Sequence, residues 1–208
     1  MAKSKILKEL ANNEIDLEVA VSRLMIISSD IGNEKLYKWA ESELNGYTSS
    51  DNLPEYRNLE IGHIVYSGLN GRMLVTNQPI PITAFSSDEL DLITGTSFPH
   101  SIRAIQQFAQ QDKKEEISKD LTFLASSFSK RQGVRCTSIK MLYGSADVLS
   151  ILSNIRTKLI SVFIKLDKEF GCLDNLDVDI QGINAKKLDS INADLSSIIY
   201  SDDKAEVG

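Results

Sequence analysis

The side chains best suited to acid–base, metal or nucleophilic chemistry are few and scattered in this sequence. Its histidines, His63 and His100, stand 37 positions apart, and no cysteine lies near either. Zinc sites draw on ligands in close pairs, so no metal is expected. Cys136 and Cys172 belong to no CxxC or Cys/His cluster. On a mixed strand Cys136 reads as a small core residue rather than a nucleophile. Asp88, Glu89 and Asp91, like Glu115 and Glu116, read as carboxylates on solvated faces. No GxSxG nucleophile motif is present. The stretch SGLNGR lacks the P-loop lysine and precedes a strand rather than a helix. No cofactor is expected.

One spacing does suggest a reaction. Arg57 and His63 stand six apart, matching the Arg-x(4–6)-His spacing of small helical ribonucleases. Such a pair needs a helix start to aim both side chains at one phosphate. Here the intervening NLEIG reads as strand, which would separate the pair by about 20 Å at 3.3 Å per residue. The nuclease reading is therefore kept only as the alternative, together with a nucleotide-dependent effector enzyme.

The elements that must position these residues follow from periodicity. Ile6, Leu7 and Leu10 form one short stripe, ended by Asn12-Asn13. Asp16 caps a second helix carrying Leu17, Ala20, Val21, Leu24, Met25, Ile27 and Ile31 at helical spacing. Gly32 stops it. Asn33 caps a third with Leu36, Trp39, Ala40 and Leu44 on one face, stopped by Gly46. These three helices predict an antiparallel helical layer. The period then changes to two, predicting a hairpin of strands 59–67 and 72–77 around a turn at 68–71. Pro79 and Pro81 should end the second strand or place it on an edge. Ser86 or Ser87 opens a short helix, and another is expected over 97–110. Residues 110–116 read as a solvated connector. Residues 117–128 are left as helix or irregular packed segment. The stretch GVRCTSIKMLYG carries apolar residues on both parities, which predicts a strand packed on two sides and paired with the hairpin. Ser145 caps the longest helix, 146–170, with a stripe of Val148, Leu149, Leu152, Ile155, Leu159, Val162, Phe163 and Leu166, ended by Gly171. Asn184 caps a last helix with Leu188, Ile191, Leu195 and Ile198. The fold class is α+β: an N-terminal helical layer, a small antiparallel sheet made of a hairpin plus a later strand, and a long C-terminal helix.

Composition sets the outer bounds. The chain has 208 residues, 42% hydrophobic and 25% charged, enough to build a sizeable core. Its net charge of −6 argues against a protein that coats nucleic acid. Residues 172–208 hold eight acidic residues against three lysines, while residues 101–171 hold twelve basic against seven acidic. The expected division is a domain over 1–171 and an acidic segment over 172–208. The segment either docks as a helix on the basic region or waits for a partner, with residues 201–208 frayed. The basic region could meet nucleic acid, but no aromatic interleaving supports stacking on single strands, so a protein partner is favoured. No signal peptide opens the chain and no run of about 18 apolar residues spans a membrane. A reduced cytoplasmic protein with free thiols is expected.

The most distinctive stretch is KWAESELNGYTSSDNLPEYRN, at 38–58. A helix carrying the only tryptophan ends at Asn45-Gly46-Tyr47, and a polar loop leads to Pro54-Glu55-Tyr56-Arg57. Further on comes TNQPIPI at 76–82. Physically the stretch reads as a structural joint. Tyr47 and Tyr56 can pack across the loop, and Arg57 can take helix-end carbonyls or pair with Glu43. The combination W…ELNGY, LPEYR and NQPIPI resembles the AbiTii family of bacterial abortive-infection proteins, over residues 3–170. The matching positions are Trp39, Glu43, Leu44, Asn45, Gly46, Tyr47, Pro54, Tyr56, Arg57, Asn77 and Pro79. The resemblance implies a role in phage resistance and no settled enzymatic activity, and it transfers no catalytic residue. A non-enzymatic module acting by protein–protein interaction or self-association is the expectation. Its candidate binding or structural residues are Trp39, Glu43, Asn45, Gly46, Tyr47, Tyr56, Arg57 and Asn77.

Overall fold

A computed structural model describes residues 3–49, 51–110, 117–175, 178, 180 and 183–200. Among the described residues the elements run in the order α1 (Lys5–Ala11), α2 (Leu17–Asp30), α3 (Glu34–Asn45), β1 (Asn58–Leu59), β2 (His63–Asn70), β3 (Met73–Pro79), α4 (Ser87–Leu90), β4 (Thr96–Ser97), α5 (Ile102–Gln110), β5 (Ile117–Asp120), α6 (Ala125–Gln132), β6 (Arg135–Tyr143), α7 (Ser145–Phe170) and α8 (Ala185–Tyr200). This is the α+β architecture expected from the period changes. The connector at 110–116 and the frayed end at 201–208 lie outside the described residues, apart from Gln110. The chain forms two compact units: Met1–Tyr56, Pro99–Gln107 and Ser150–Gly208 make the first, and Arg57–Phe98 with Phe108–Leu149 the second.

The first unit is helical. Asp16 caps α2 by accepting from the Glu18 amide at 2.7 Å, and Asn33 caps α3 by accepting from the Leu36 amide at 3.0 Å. Leu17, Leu24, Ile27, Leu36 and Trp39 are buried, as are Ile151, Ile155, Leu159, Val162, Phe163 and Leu166 of α7. The stripe on α7 is shifted from the sequence reading: Ile151 is buried, whereas Leu149 is exposed and Leu152 half-buried. The i, i+3/i+4 rule allows either choice in a run this rich in leucine and isoleucine. Helix α8, capped by Asn184 accepting from the Lys187 amide at 2.8 Å, packs against α3 and buries Ile191, Leu195 and Ile199. Leu188 and Ile198 are only half-buried. Two cations satisfy orphan helix-end carbonyls. Arg156 donates to the Leu10 carbonyl at 3.1 Å, and Lys158 to that of Ile198 at 3.0 Å.

The second unit is built on a four-stranded antiparallel sheet in the order β3-β2-β6-β5. The first hairpin strand is shorter than expected. Asn58 and Leu59 leave it to pair with Thr96 and Ser97 of β4, so β2 starts only at His63. The turn is the two-residue loop Gly71-Arg72, since Asn70 faces Met73. Gly68 instead lies inside β2 at a register shift, where a Cβ would fall 2.1 Å from the Arg135 carbonyl oxygen. β3 is an edge strand ending at Pro79, as its prolines require.

Strand β6 corrects another expectation. It buries one face, not two. Ser67 faces Ser138 and Gly68 faces Cys136, so Thr137 is an extra residue that reverses the alternation. Val134 and Cys136 before the bulge, and Ile139, Met141 and Tyr143 after it, all pack on the same core. That core joins them to Ile64, Tyr66, Phe85, Leu121, Leu124 and Phe128, with Tyr66 and Phe85 ring centroids 5.4 and 5.9 Å from that of Phe128. Residues 117–128 resolve into β5, a short 3-10 turn and the start of α6. The helix expected from 97 begins at Ile102, because Ser97 is held in the β1–β4 pair.

Candidate functional site

Trp39 and Glu43 stand four apart on α3, which stacks them on one helical face, and Tyr47 follows just beyond the helix end at Gly46. Glu43 is fully buried. A buried carboxylate must be hydrogen-bonded to be tolerated. Its Oε1 accepts the Tyr47 hydroxyl at 2.7 Å and the Tyr56 hydroxyl at 2.6 Å. Tyr56 in turn accepts the Trp39 indole N–H at 2.9 Å. Lys158 of α7, itself buried, holds its Nζ 5.7 Å from the centre of the Tyr56 ring. One connected network thus runs Trp39–Tyr56–Glu43–Tyr47. Nearby, burial raises the Tyr200 hydroxyl pKa, and the negative charge of Glu43 adds to the shift.

The loop that follows begins with backbone contacts inside the first unit. Gly46 ends α3 with φ +91° and ψ 160°, and a Cβ there would lie 3.0 Å from the Pro99 carbonyl oxygen. Only glycine meets both conditions without strain. The next amide, Tyr47 N–H, donates to that same Pro99 oxygen at 2.7 Å. The chain leaves the first unit after Tyr56 and returns to it at Pro99. Within the second unit Arg57 is fully buried. Its guanidinium donates to the Phe98 carbonyl at 3.2 Å, and its own carbonyl accepts the Phe98 amide at 2.8 Å. Asn45 is exposed at the end of α3.

Asn77 lies elsewhere, on β3. It has φ +50° at a register shift opposite Tyr66–Gly68, and its amide donates to the Ser67 hydroxyl at 3.1 Å. Asparagine is among the few residues that tolerate this left-handed conformation. The NQP segment therefore shapes the sheet edge and lies apart from the α3 network in sequence.

Arg57 and His63 do not form a shared site of the ribonuclease kind. Arg57 is buried with its guanidinium on a backbone carbonyl, whereas His63 is exposed at the start of β2. The reason differs from the sequence argument, because the intervening residues are not one continuous strand. Cys172 is exposed and Cys136 half-buried, both as free thiols. Burial pushes the Cys136 thiol pKa up against a weaker opposing backbone hydrogen bond of Ser138, the reverse of what an activated thiolate needs. Among the described residues no group of three or more His, Cys, Asp or Glu could hold a metal ion, and no helix is long and apolar enough to cross a membrane.

Three features escaped the sequence reading. Glu89, expected on a solvated face, is buried and paired with Arg131 at 2.5 Å. Lys158 lies between Ile155 and Leu159 on the buried face of α7, and that placement was the available signal. Ser4 is also buried, bonded through its amide and hydroxyl to Asp167, while its hydroxyl accepts the Leu173 amide at 3.0 Å. No motif announces that contact across the first unit.

Fold and motif together define a class: an α+β protein whose signature residues Trp39, Glu43, Tyr47 and Tyr56 close a buried hydrogen-bond network beneath the ELNGY turn. A family model for AbiTii matches residues 4–187, and the chain belongs to that family. Membership supports a role in bacterial abortive infection and phage defence. No curated protein and no solved structure matches the chain.

Proposed function

We propose that the protein defends its host against phage by contact, through binding a viral or host protein or a second copy of itself, and without catalysing a reaction. Burial of the motif supports this reading. Trp39, Glu43 and Arg57 are each no more than 1% exposed, so these polar signature groups hold the fold instead of meeting a ligand. The surface left for function is then the exposed apolar and charged periphery. The cytoplasm is the proposed site of action. The acidic residues of 172–208 offer a further arm for a protein partner.

The test is protection in a susceptible bacterium, with the gene expressed alone or with its neighbour. Replacing His63 and His100 together by glutamine should leave phage yield as low as with the unmodified protein. Loss of protection by a folded double variant would overturn the contact reading and reopen the nuclease alternative.

A further inference from the structure

Helix α8 rests on the first unit along one narrow stripe. Of its sixteen residues only Ile191, Leu195 and Ile199 are buried, at positions i, i+4 and i+8. A helix this short is marginal in water by itself, so the groove beneath it is what keeps it folded. That groove is made by α3 and α7. Its polar groups fix the register of the helix it holds. Asn33, the cap of α3, donates through Nδ2 to the Asn192 carbonyl at 3.1 Å, and the Asn192 side chain donates to the Ile31 carbonyl at 3.2 Å. On α7, Lys158 donates to the Ile198 carbonyl in the last turn of α8, and Lys165 pairs with Asp194 at 2.7 Å. These anchors read backbone carbonyls, one amide and one carboxylate of the helix. None of them is a signature position.

The fit is imperfect. Asn192 Oδ1 is buried with no hydrogen-bond partner among the described residues. An unpaired acceptor of this kind penalises the docked state and costs nothing once α8 is in water. The Lys165–Asp194 pair is open to solvent on the Asp194 side, 55% exposed, and holds weakly. The chain is pinned again just before α8. Leu173 is buried with its amide on the Ser4 hydroxyl, and Asp174 accepts the Lys5 amide at 2.6 Å. Release of α8 therefore stops at Asp174 and leaves α1, α3 and α7 in place. Residues 188–200, most of α8, also lie past the AbiTii-matched stretch, whereas α3 and α7 lie within it.

We propose that the α3–α7 groove is a helix-docking site held in cis by α8, and that an amphipathic helix of a partner protein takes the place of α8 there. That helix carries apolar residues at i, i+4 and i+8 and a carboxylate at i+3, as Ile191, Leu195, Ile199 and Asp194 do. A foreign helix is favoured over α8 of a second copy. The tether gives the chain's own α8 an effective concentration of about millimolar, which an identical helix does not overcome. A foreign helix free of the unpaired Asn192 oxygen does. The proposal deepens the contact-driven reading and rests on it, naming one contact surface and the segment that covers it.

Fluorescence anisotropy of a labelled synthetic peptide of residues 184–200, titrated with the full chain, tests this. Leu195→Asp in the chain unseats its own α8, so this variant should bind the peptide at least about tenfold more tightly than the unmodified chain, about 1.4 kcal/mol. A peptide itself carrying Leu195→Asp should bind neither chain. Hydrogen exchange of the unmodified chain should show α8 amides opening well before those of α3 and α7. Equal binding to both chains overturns the proposal, as does no binding to a Leu195→Asp chain that circular dichroism shows to be folded. So does exchange of α8 only together with α7, a result that stands even if the variant fails to fold. An unmodified chain whose mass doubles with concentration, and a Leu195→Asp chain that stays monomeric, would assign the groove to a second copy and overturn the partner helix. Peptide binding and exchange decide the groove, whereas phage yield with His63 and His100 replaced decides the contact reading, so the two fail separately.

Discussion

Replacing Glu43 by alanine removes the acceptor on which Tyr47 and Tyr56 converge. Hydrogen bonds to charged groups contribute about 1.5–3 kcal/mol each. Both tyrosines are half-buried, so water replaces part of the loss, and the lower figure applies to each. Two bonds then account for about 3 kcal/mol, and the emptied volume around a fully buried side chain adds about 1 kcal/mol. Glu43→Ala should therefore lower stability by about 4 kcal/mol in urea unfolding, read as a shift in midpoint at constant slope. Glu43→Gln keeps the volume and a carbonyl acceptor, and should lose only about 1–2 kcal/mol. Tyr56→Phe removes the donor to Glu43 and the acceptor of the Trp39 indole, about 2–3 kcal/mol. A double-mutant cycle between Glu43→Ala and Tyr56→Phe should show coupling of at least about 1 kcal/mol. A Glu43→Ala loss below about 1 kcal/mol, or strict additivity with Tyr56→Phe, would refute the network as a stabilising unit.

Three further outcomes follow from other parts of the fold. Burial alone would raise the Glu89 carboxyl pKa. Bonds from the Ser127 hydroxyl and Ser86 amide, with Arg131 at 2.5 Å, outweigh it and hold it down at about 2. Because the folded value is depressed, its contribution is complete above the ordinary carboxylate range near 4.5 and disappears as pH falls toward 2, so Glu89→Gln should flatten the acid limb of a stability–pH curve over that interval. Gly46→Ala should destabilise by about 1–3 kcal/mol, measured by the same urea unfolding, from its positive φ and the approach of Pro99. Removing residues 174–208 strips α8 from α3 and should expose an apolar patch, seen as aggregation in light scattering.

Much of the fold was readable because helix signals are local. Asp16, Asn33 and Asn184 cap as their positions suggest, and Gly46 and Gly171 stop their helices with positive φ. What was hidden depended on pairing partners far away in sequence. The apolar residues on both parities of β6 imitate a strand buried on two sides, and only the register with β2 reveals the extra residue Thr137. β5 is too short and polar, Ile-Ser-Lys-Asp, to announce a strand by composition. Asn58 and Leu59 look continuous with β2 until β4 claims them. At the candidate site Leu36, Trp39 and Ala40 were legible as one face of α3, stopped by Gly46. That the Glu43 carboxylate points inward, and that Lys158 lies beside Tyr56, required the packing of α7.

The central claim is that the signature residues hold the protein together while contact surfaces elsewhere provide protection. Phage yield measured against folded fraction across Glu43→Gln, Tyr47→Phe, Tyr56→Phe and Arg57→Ala tests it most directly. Protection should track the folded fraction, with Glu43→Gln nearly intact at temperatures where it stays folded. A variant of this set with an unchanged melting temperature and no protection would contradict the account and make the α3 network a recognition site.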